Sequence, residues 1–155
     1  MTGEREHSDA DAVDTFLVSF DALAQAVRRA RGGTARDGAL TLSQYGLLQT
    51  LSGQRTARVR DLADEAGVAP STATRILDAL ERRAIVRRSR AAEDRRGVSV
   101  SLTAEGRAAL DAQDAWMRSR QRAFYDGLPA IERELAPDLL VRLAALIDEL
   151  AAGPE

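Results

Sequence analysis

Four hydrogen-bonding side chains lie close together near the middle of the chain, at Ser71, Thr72, Thr74 and Arg75. If residues 70–83 form an α-helix, with about 100° between successive residues, most of these side chains lie opposite a continuous apolar face. That face contains Ala73, Ile76, Leu77 and Leu80. Short hydroxyls and an arginine fork can reach base edges and phosphates when a helix enters the major groove of duplex DNA. The chemistry that this spacing offers is hydrogen bonding to DNA.

Arg75 is the residue best suited to read a base, because its guanidinium can pair with two acceptors of guanine. Thr72 and Thr74 can contact a thymine methyl group or a phosphate. Asp78 has two interpretations: it orients an arginine through an ion pair, which is the expected role, or it contacts a base itself. Residues 70–83 are therefore the predicted reading helix.

Positive charge is concentrated in one part of the chain, although the net charge of the whole chain is −2. Residues 55–96 contain 11 arginines and 7 acidic residues, a net +4, so the rest of the chain carries −6. Seven arginines fall between Arg82 and Arg96, where the acidic residues are only Glu93 and Asp94. This density favours contact with DNA phosphates over a solvated charged loop.

Hydrophobic spacing predicts the elements that position these side chains. Helices are expected at residues 11–31, from 41 or 43 to about 52, and at 58–66, 70–83, 104–125 and 137–151. Thr41 or Ser43 can cap the second helix, and Thr103 can cap the fifth. Alternating apolar residues predict two short strands, 85–90 and 97–102, which form a β-hairpin. The expected fold class is mainly α with a small β-hairpin.

Composition excludes several classes of protein. The 155 residues are 45% hydrophobic and 30% charged, which predicts one globular structural unit behind a flexible polar leader at residues 1–10. No apolar run approaches the roughly 20 residues that cross a bilayer, and the leader has no secretion signal, so we expect a cytoplasmic protein without membrane contact.

Catalysis and metal binding are not expected. The chain has no cysteine, and its single histidine is His7 in the polar leader. A thiolate metal site is therefore excluded, and we expect His7 to be a solvated residue; the alternative is a metal or acid–base role. Carboxylates are the remaining groups for a hard cation or for catalysis, and they fall on solvated helix faces. We expect no enzyme activity, no metal and no cofactor.

Five stretches of the chain occur in a recognisable order. They are residues 42–51 (LSQYGLLQTL), 59–66 (VRDLADEA), 71–81 (STATRILDALE), 94–96 (DRR) and 102–106 (LTAEG). Together they resemble the MarR (multiple antibiotic resistance regulator) family of transcriptional regulators. The resemblance implies a winged helix-turn-helix lobe at residues 41–103, flanked by helical dimerisation regions at 11–33 and 104–152.

The resemblance further implies a homodimer, and two lobes related by a two-fold axis should bind a palindromic DNA operator. We expect a repressor; the alternative is an activator, since the position of the operator relative to the promoter decides between the two. It places Arg95 at the wing tip, where an arginine can enter the minor groove. Arg88, Arg90 and Arg96 are expected to be further wing contacts to DNA, and Asp94 is expected to brace the wing, a role that Arg96 can share. The alternative is a winged-helix module for protein interaction without specific DNA binding, which the polar helix face and the wing arginines oppose.

Regulators of this family release DNA when a small aromatic or lipophilic effector binds between the dimerisation helices and the DNA-binding lobe. The aromatic candidates for such a pocket are Phe16, Phe20, Tyr45 and Trp116. Core packing is the alternative role for each of them.

Two positions depart from the family pattern. Ala69 stands where a hydroxyl residue often caps the reading helix, so the first amides of that helix need another partner. Ala84 stands where glycine usually follows the helix, and a left-handed conformation there would cost about 1 kcal/mol.

Overall fold

The computed structural model describes residues 2–33, 39–54, 56–90 and 98–153, except for the side chains of residues 2–9 and of Arg90. Its elements are α1 (Thr2–Gly32), α2 (Leu42–Ser52), β1 (Ala57–Arg58), α3 (Val59–Glu65), α4 (Pro70–Arg82), β2 (Val86–Arg90), β3 (Val98–Leu102), α5 (Ala104–Gly127) and α6 (Ala130–Ala152). The mainly α class with a small β wing is confirmed. The chain forms two compact units, Met1–Gln113 and Asp114–Glu155, and the boundary between them in the sequence falls within α5. Whether they unfold as the single cooperative unit expected from the sequence stays a prediction.

The core of the first unit lies among α2, α3, α4 and the sheet. Its largest fully buried side chains are Leu47, Leu48, Leu51, Leu62, Leu77, Leu80, Val86 and Val100. Burying one such side chain stabilises a protein by about 1.5–3 kcal/mol relative to leaving it exposed. This cluster therefore fixes the three short helices and the wing strands against one another.

Side-chain caps fix where α2 and α5 begin. The Thr41 hydroxyl accepts a hydrogen bond from the Gln44 amide at 3.1 Å, and Gln44 Oε1 accepts one from the Thr41 amide at 3.1 Å. The Gly106 amide donates to Thr103 Oγ1 at 2.9 Å. Thr41 rather than Ser43 is thus the first cap, and the expected cap at Thr103 is confirmed.

The sheet has the strand order β1-β3-β2, with antiparallel pairing throughout. Strands β2 and β3 form the expected hairpin, in a register that pairs Val86 with Leu102 and Arg90 with Val98. Strand β1 was not expected. It has only two residues, too few to show a period of two in the sequence, and it exists because Ala57 pairs with Val100.

The chain turns sharply between α4 and β2. Ala84 has φ = 56°, in the left-handed region, while its amide and that of Ile85 bond to the end of α4 at 2.9 Å each. The structure therefore keeps the left-handed turn, and the strain at Ala84 is tolerated. Next to this turn, a Cβ added to Gly106 would lie 1.9 Å from the Ile85 carbonyl oxygen, so only glycine lets α5 begin so close to the strand.

Two helices are longer than the sequence pattern indicated. Helix α1 begins at Thr2 and so includes the polar leader, and α6 begins at Ala130 with Pro137 inside it. Apolar spacing marked only the amphipathic part of α1, and Pro137 suggested a helix start because proline suits a first turn. Residues 130–136 are mostly good helix formers, which explains the earlier start.

Many large apolar side chains of the long helices are exposed in the single chain. Those of α1 are Val13, Phe16, Leu17, Val18, Leu23 and Val27. Those of the second unit are Trp116, Phe124, Tyr125, Ile131, Leu135, Leu139, Leu140, Val141, Ile147 and Leu150. Among the described residues, no helix combines the length and the apolar character needed to cross a membrane.

Candidate nucleic-acid interface

Helix α4 is held to the core along one side. Ala73, Leu77 and Leu80 on that side have no solvent exposure. Ser71, Thr74 and Arg75 on the other side are exposed, and Thr72 is half-buried between the two sides. The polar face is therefore presented to solvent by a helix that cannot rotate without exposing its apolar side chains.

The four reading-helix candidates differ in how far the protein already uses them. The Thr74 hydroxyl donates to the Pro70 carbonyl at 2.9 Å, so its methyl group and the lone pairs of its oxygen remain for a ligand. The Arg75 side chain has no hydrogen bond or ion pair within the described ranges. A long cationic side chain that is exposed and unengaged can donate its full set of N–H groups to an outside acceptor.

The first turn of α4 lacks a side-chain cap. Ala69 is the N-cap residue and Pro70 is the first helical residue, and no side chain caps the turn, as the sequence indicated. The Ala73 amide bonds to the Ala69 carbonyl at 3.0 Å, while the amides of Ser71 and Thr72 precede the first helical bond. Such amides, with the positive end of the helix dipole, favour an anion at this end of the helix.

Asp78 forms an ion pair, but with an arginine of the wing and not of its own helix. Arg88 Nη1 lies 2.6 Å from Asp78 Oδ1 and 2.9 Å from Glu81 Oε2. The Arg88 backbone amide also donates to Glu81 Oε1 at 3.3 Å. We call these three residues the α4–wing clamp; it ties the first strand of the wing to the last turn of the reading helix.

The α4–wing clamp bears on the role assigned to Arg88. Its side chain is only 25% exposed, and its guanidinium is already engaged by two carboxylates. Direct contact of Arg88 with DNA stays a prediction. Glu81 was not among the candidate residues; the signal was its position three residues after Asp78, which puts two carboxylates on one side of the helix end.

The other wing candidates are only partly covered by the structure. Asp94, Arg95 and Arg96 lie outside the described residues, and Arg90 is described only as the last residue of β2. Arg87, which alternates with Arg88 along β2, donates from Nε to Ser101 Oγ at 3.1 Å. The described part of the wing therefore has one arginine engaged by carboxylates and one bonded to a neutral hydroxyl.

The four aromatic candidates for an effector pocket are distributed over both units. Phe16 and Phe20 stack within α1, with ring centroids 6.2 Å apart. Tyr45 is partly buried against the core of the first unit, and Trp116 belongs to the second unit, where it is 58% exposed. An effector pocket at these residues stays a prediction. Within the described ranges, no group of three His, Cys, Asp or Glu side chains is placed to hold a metal ion.

Comparison with known proteins agrees with this arrangement. The model of the MarR family matches residues 40–98, which contain α2, α3, α4 and β2. The chain is 30% identical over 111 residues to the HTH-type transcriptional regulator FarR of Neisseria gonorrhoeae, covering 72% of this chain and 76% of that protein. It is 39% identical over 64 residues to the uncharacterized HTH-type transcriptional regulator YfiV of Bacillus subtilis, and that match spans 40% of the length of YfiV and 41% of this chain.

A solved structure extends the likeness to the fold. It is that of BpsR of Bordetella bronchiseptica, whose DNA binding is regulated by 6-hydroxynicotinic acid. The two structures superpose with a TM-score of 0.62 at 25% identity, over 81% of this chain and 98% of that one. Family model, relatives and fold agree with the exposed reading helix and its wing: the chain belongs to the MarR family of DNA-binding transcriptional regulators, and it is not an enzyme.

Proposed function

We propose that this regulator is a sequence-specific repressor that binds a palindromic operator as a homodimer. The observation that carries the proposal is the division of α4 into a fully buried apolar side and an exposed polar side, on which the Arg75 side chain has no partner among the described residues. A helix of this kind can lie in a major groove with its side chains fixed in register. Arg75 then reads guanine, while Ser71, Thr72 and Thr74 contact thymine methyl groups or phosphates.

The wing supplies the second set of DNA contacts. In the proposal Arg95 enters the minor groove, Arg90 and Arg96 contact phosphates, and Asp94 braces the wing. The α4–wing clamp supports DNA contact by the wing beside the reading helix, because it ties β2 to the end of α4. Two elements held by charge-assisted hydrogen bonds can meet adjacent grooves with a fixed spacing.

The exposed apolar side chains of α1 and of the second unit support the homodimer. Each unit exposes several large apolar side chains, and exposed apolar surface is a mark of an interaction site. A second copy of the chain is the occupant that a two-fold-symmetric operator requires, with half-site centres about 10 base pairs apart. We place this dimer in the cytoplasm, where it binds its operator.

Release by a small effector completes the proposal. An effector that binds the dimer geometry unsuited to DNA shifts the population towards that geometry and lowers the apparent DNA affinity. Phe16, Phe20, Tyr45 and Trp116 are the proposed aromatic contacts. The compound that regulates DNA binding by BpsR, 6-hydroxynicotinic acid, is itself a small aromatic molecule, which makes aromatic acids the first class of effector to test.

Selection of bound duplexes from random DNA by the purified full-length chain tests this function. The expected result is enrichment of one site with two-fold symmetry. Recovery of unrelated sequences, with weak binding that does not distinguish between them, would reject specific recognition and favour a protein-interaction role for the lobe. Because selection uses no assumed operator, either result is informative.

A further inference from the structure

A polar cleft of about 660 Å³ lies in the first unit, beside strands β2 and β3. Its walls come from the end of α2 and the following loop, from both strands and from the first turns of α5. The hydroxyl and guanidinium side chains that line it are those of Ser52, Thr56, Arg87, Ser89, Ser101 and Arg107. Among the described residues that line the cleft, none is acidic.

The two arginines of this cleft, Arg87 and Arg107, differ from Arg88 in the partners of their side chains. Within the described residues, the Arg87 side chain makes a single hydrogen bond, from Nε to Ser101 Oγ at 3.1 Å, which leaves its two terminal amino groups unused. The Arg107 side chain makes no hydrogen bond or ion pair there, and both arginine side chains are exposed. Among the described residues, neither of these two side chains therefore has a carboxylate partner, whereas two carboxylates engage Arg88.

Ser101 is the buried polar residue at the base of this arrangement, with 7% of its surface exposed. Its oxygen accepts the bond from Arg87, and in the described residues no acceptor takes its proton. Register places it opposite Arg87 on β2, and Thr56 comes one residue before the β1 partner of Val100. Ser101 therefore lies between Arg87 on one side and the neighbourhood of Thr56 on the other, and both hydroxyl residues line the cleft.

Glu65 hydrogen-bonds to Gln54 in the wall of the cleft, but it does not neutralise Arg87 or Arg107. Glu65 accepts from the side-chain amide of Gln54, with 3.3 Å to each carboxylate oxygen. Within the described residues Glu65 has no ion pair with Arg87 or Arg107. The cleft therefore presents two arginine guanidinium groups and several hydroxyl groups. This combination suits planar or tetrahedral oxyanions.

We propose that this cleft binds a small anion through a phosphate or carboxylate group, at a site separate from the reading face of α4. Arg87 and Arg107 donate charge-assisted hydrogen bonds to the anion, and Ser101 fixes the Arg87 guanidinium. The cleft volume falls within the range of small-molecule sites, about 300–1,000 Å³. This proposal goes beyond the proposed function and does not depend on it.

Titration with inorganic phosphate, followed by amide NMR at ionic strength matched with chloride, tests the proposal. The expected result is a saturable change confined to residues 52–56, 87–89 and 101–107. Arg87→Gln and Arg107→Gln should each weaken the binding about tenfold, as expected for the loss of one charge-assisted hydrogen bond. Arg28→Gln, at an exposed arginine of α1, should leave it unchanged. Changes that do not saturate, or that are the same in all three variants, overturn the proposal.

A duplex titration separates a free anion from a DNA phosphate. Binding of a random-sequence duplex is measured at several salt concentrations with the unaltered chain and with Arg107→Gln. The proposal predicts the same dependence of log affinity on log salt for both. A slope smaller by about one in Arg107→Gln would assign the cleft to the DNA backbone and overturn the small-anion proposal.

Discussion

Arg75 is the residue on which DNA reading depends most, because its side chain is exposed and has no partner in the described part of the chain, on a helix whose other side is buried. Arg75→Ala is expected to weaken binding to the selected operator by about 1–3 kcal/mol while sparing most of the non-specific affinity. Fluorescence anisotropy measures the specific affinity with the operator and the non-specific affinity with a scrambled duplex. Arg28→Ala is the control: it removes an equal charge elsewhere and should change the affinity for the two duplexes by the same factor. If Arg75→Ala also changes both affinities by the same factor, Arg75 does not read a base.

Ala84 provides a residue-scale test of the turn between helix and wing. Ala84→Gly should stabilise the protein by about 0.5–1 kcal/mol, because glycine adopts φ = 56° without the steric cost that alanine bears. The same substitution at Ala79, inside α4, should destabilise by about the same amount. Urea denaturation measures both, and destabilisation in both variants would contradict the left-handed turn.

The role of a residue could be predicted from the sequence where it depends on residues close to it along the chain. The cap at Thr103 and the uncapped start of α4 at Ala69 depend on a few adjacent residues, and both are as expected. The partner of Asp78 could not be deduced in this way. Arg88 is ten residues away on a strand, so their contact depends on how the wing packs against α4.

At the scale of elements, the α4–wing clamp predicts a measurable coupling between helix and strand. A double-mutant cycle between Arg88→Ala and Glu81→Ala should give a coupling free energy of about 0.5–1 kcal/mol, kept small by the partial exposure of both side chains. The measured quantity is the free energy of unfolding in urea.

A matched cycle between Arg87 and Glu81 serves as the control for the clamp. Arg87 is the neighbouring residue on the same strand, and it bonds to Ser101 instead of α4. Its coupling to Glu81 should be close to zero. Equal coupling in the two cycles would show that long-range charge, and not the clamp, connects the wing with the helix.

Elements with a clear hydrophobic period could be predicted from the sequence, and those without one could not. Helix α4 begins at Pro70 and ends within one residue of the expected position. The two-residue strand β1 and the first residues of α1 carry no apolar repeat, so nothing in their sequence distinguishes them from loop or leader. The wing hairpin was predictable because Val98, Val100 and Leu102 alternate with serines.

At the scale of the whole molecule, the proposed homodimer explains the exposed apolar side chains. Leu140 and Ile147, one heptad apart on α6, are 64% and 51% exposed in the single chain. The double variant Leu140→Asp/Ile147→Asp should reduce the mass found by sedimentation equilibrium from that of two chains to 16.7 kDa, because buried unpaired carboxylates oppose association. Its operator affinity should fall as well, since one lobe then binds alone.

Arg142→Asp supplies the control, because it places a carboxylate between those positions on a polar side chain that is 77% exposed. It should remain a dimer. If the double variant sediments as two chains, α6 does not form the interface and the dimer must be sought through the apolar side chains of α1.

Repeating the duplex selection with Arg75→Ala beside the unaltered chain tests the central claim most directly. A homodimer that reads DNA through α4 predicts a two-fold-symmetric site for the unaltered chain. It predicts that the variant loses its preference at one base pair in each half-site, at positions related by the two-fold axis. An unchanged consensus, or a site without symmetry, would contradict the account.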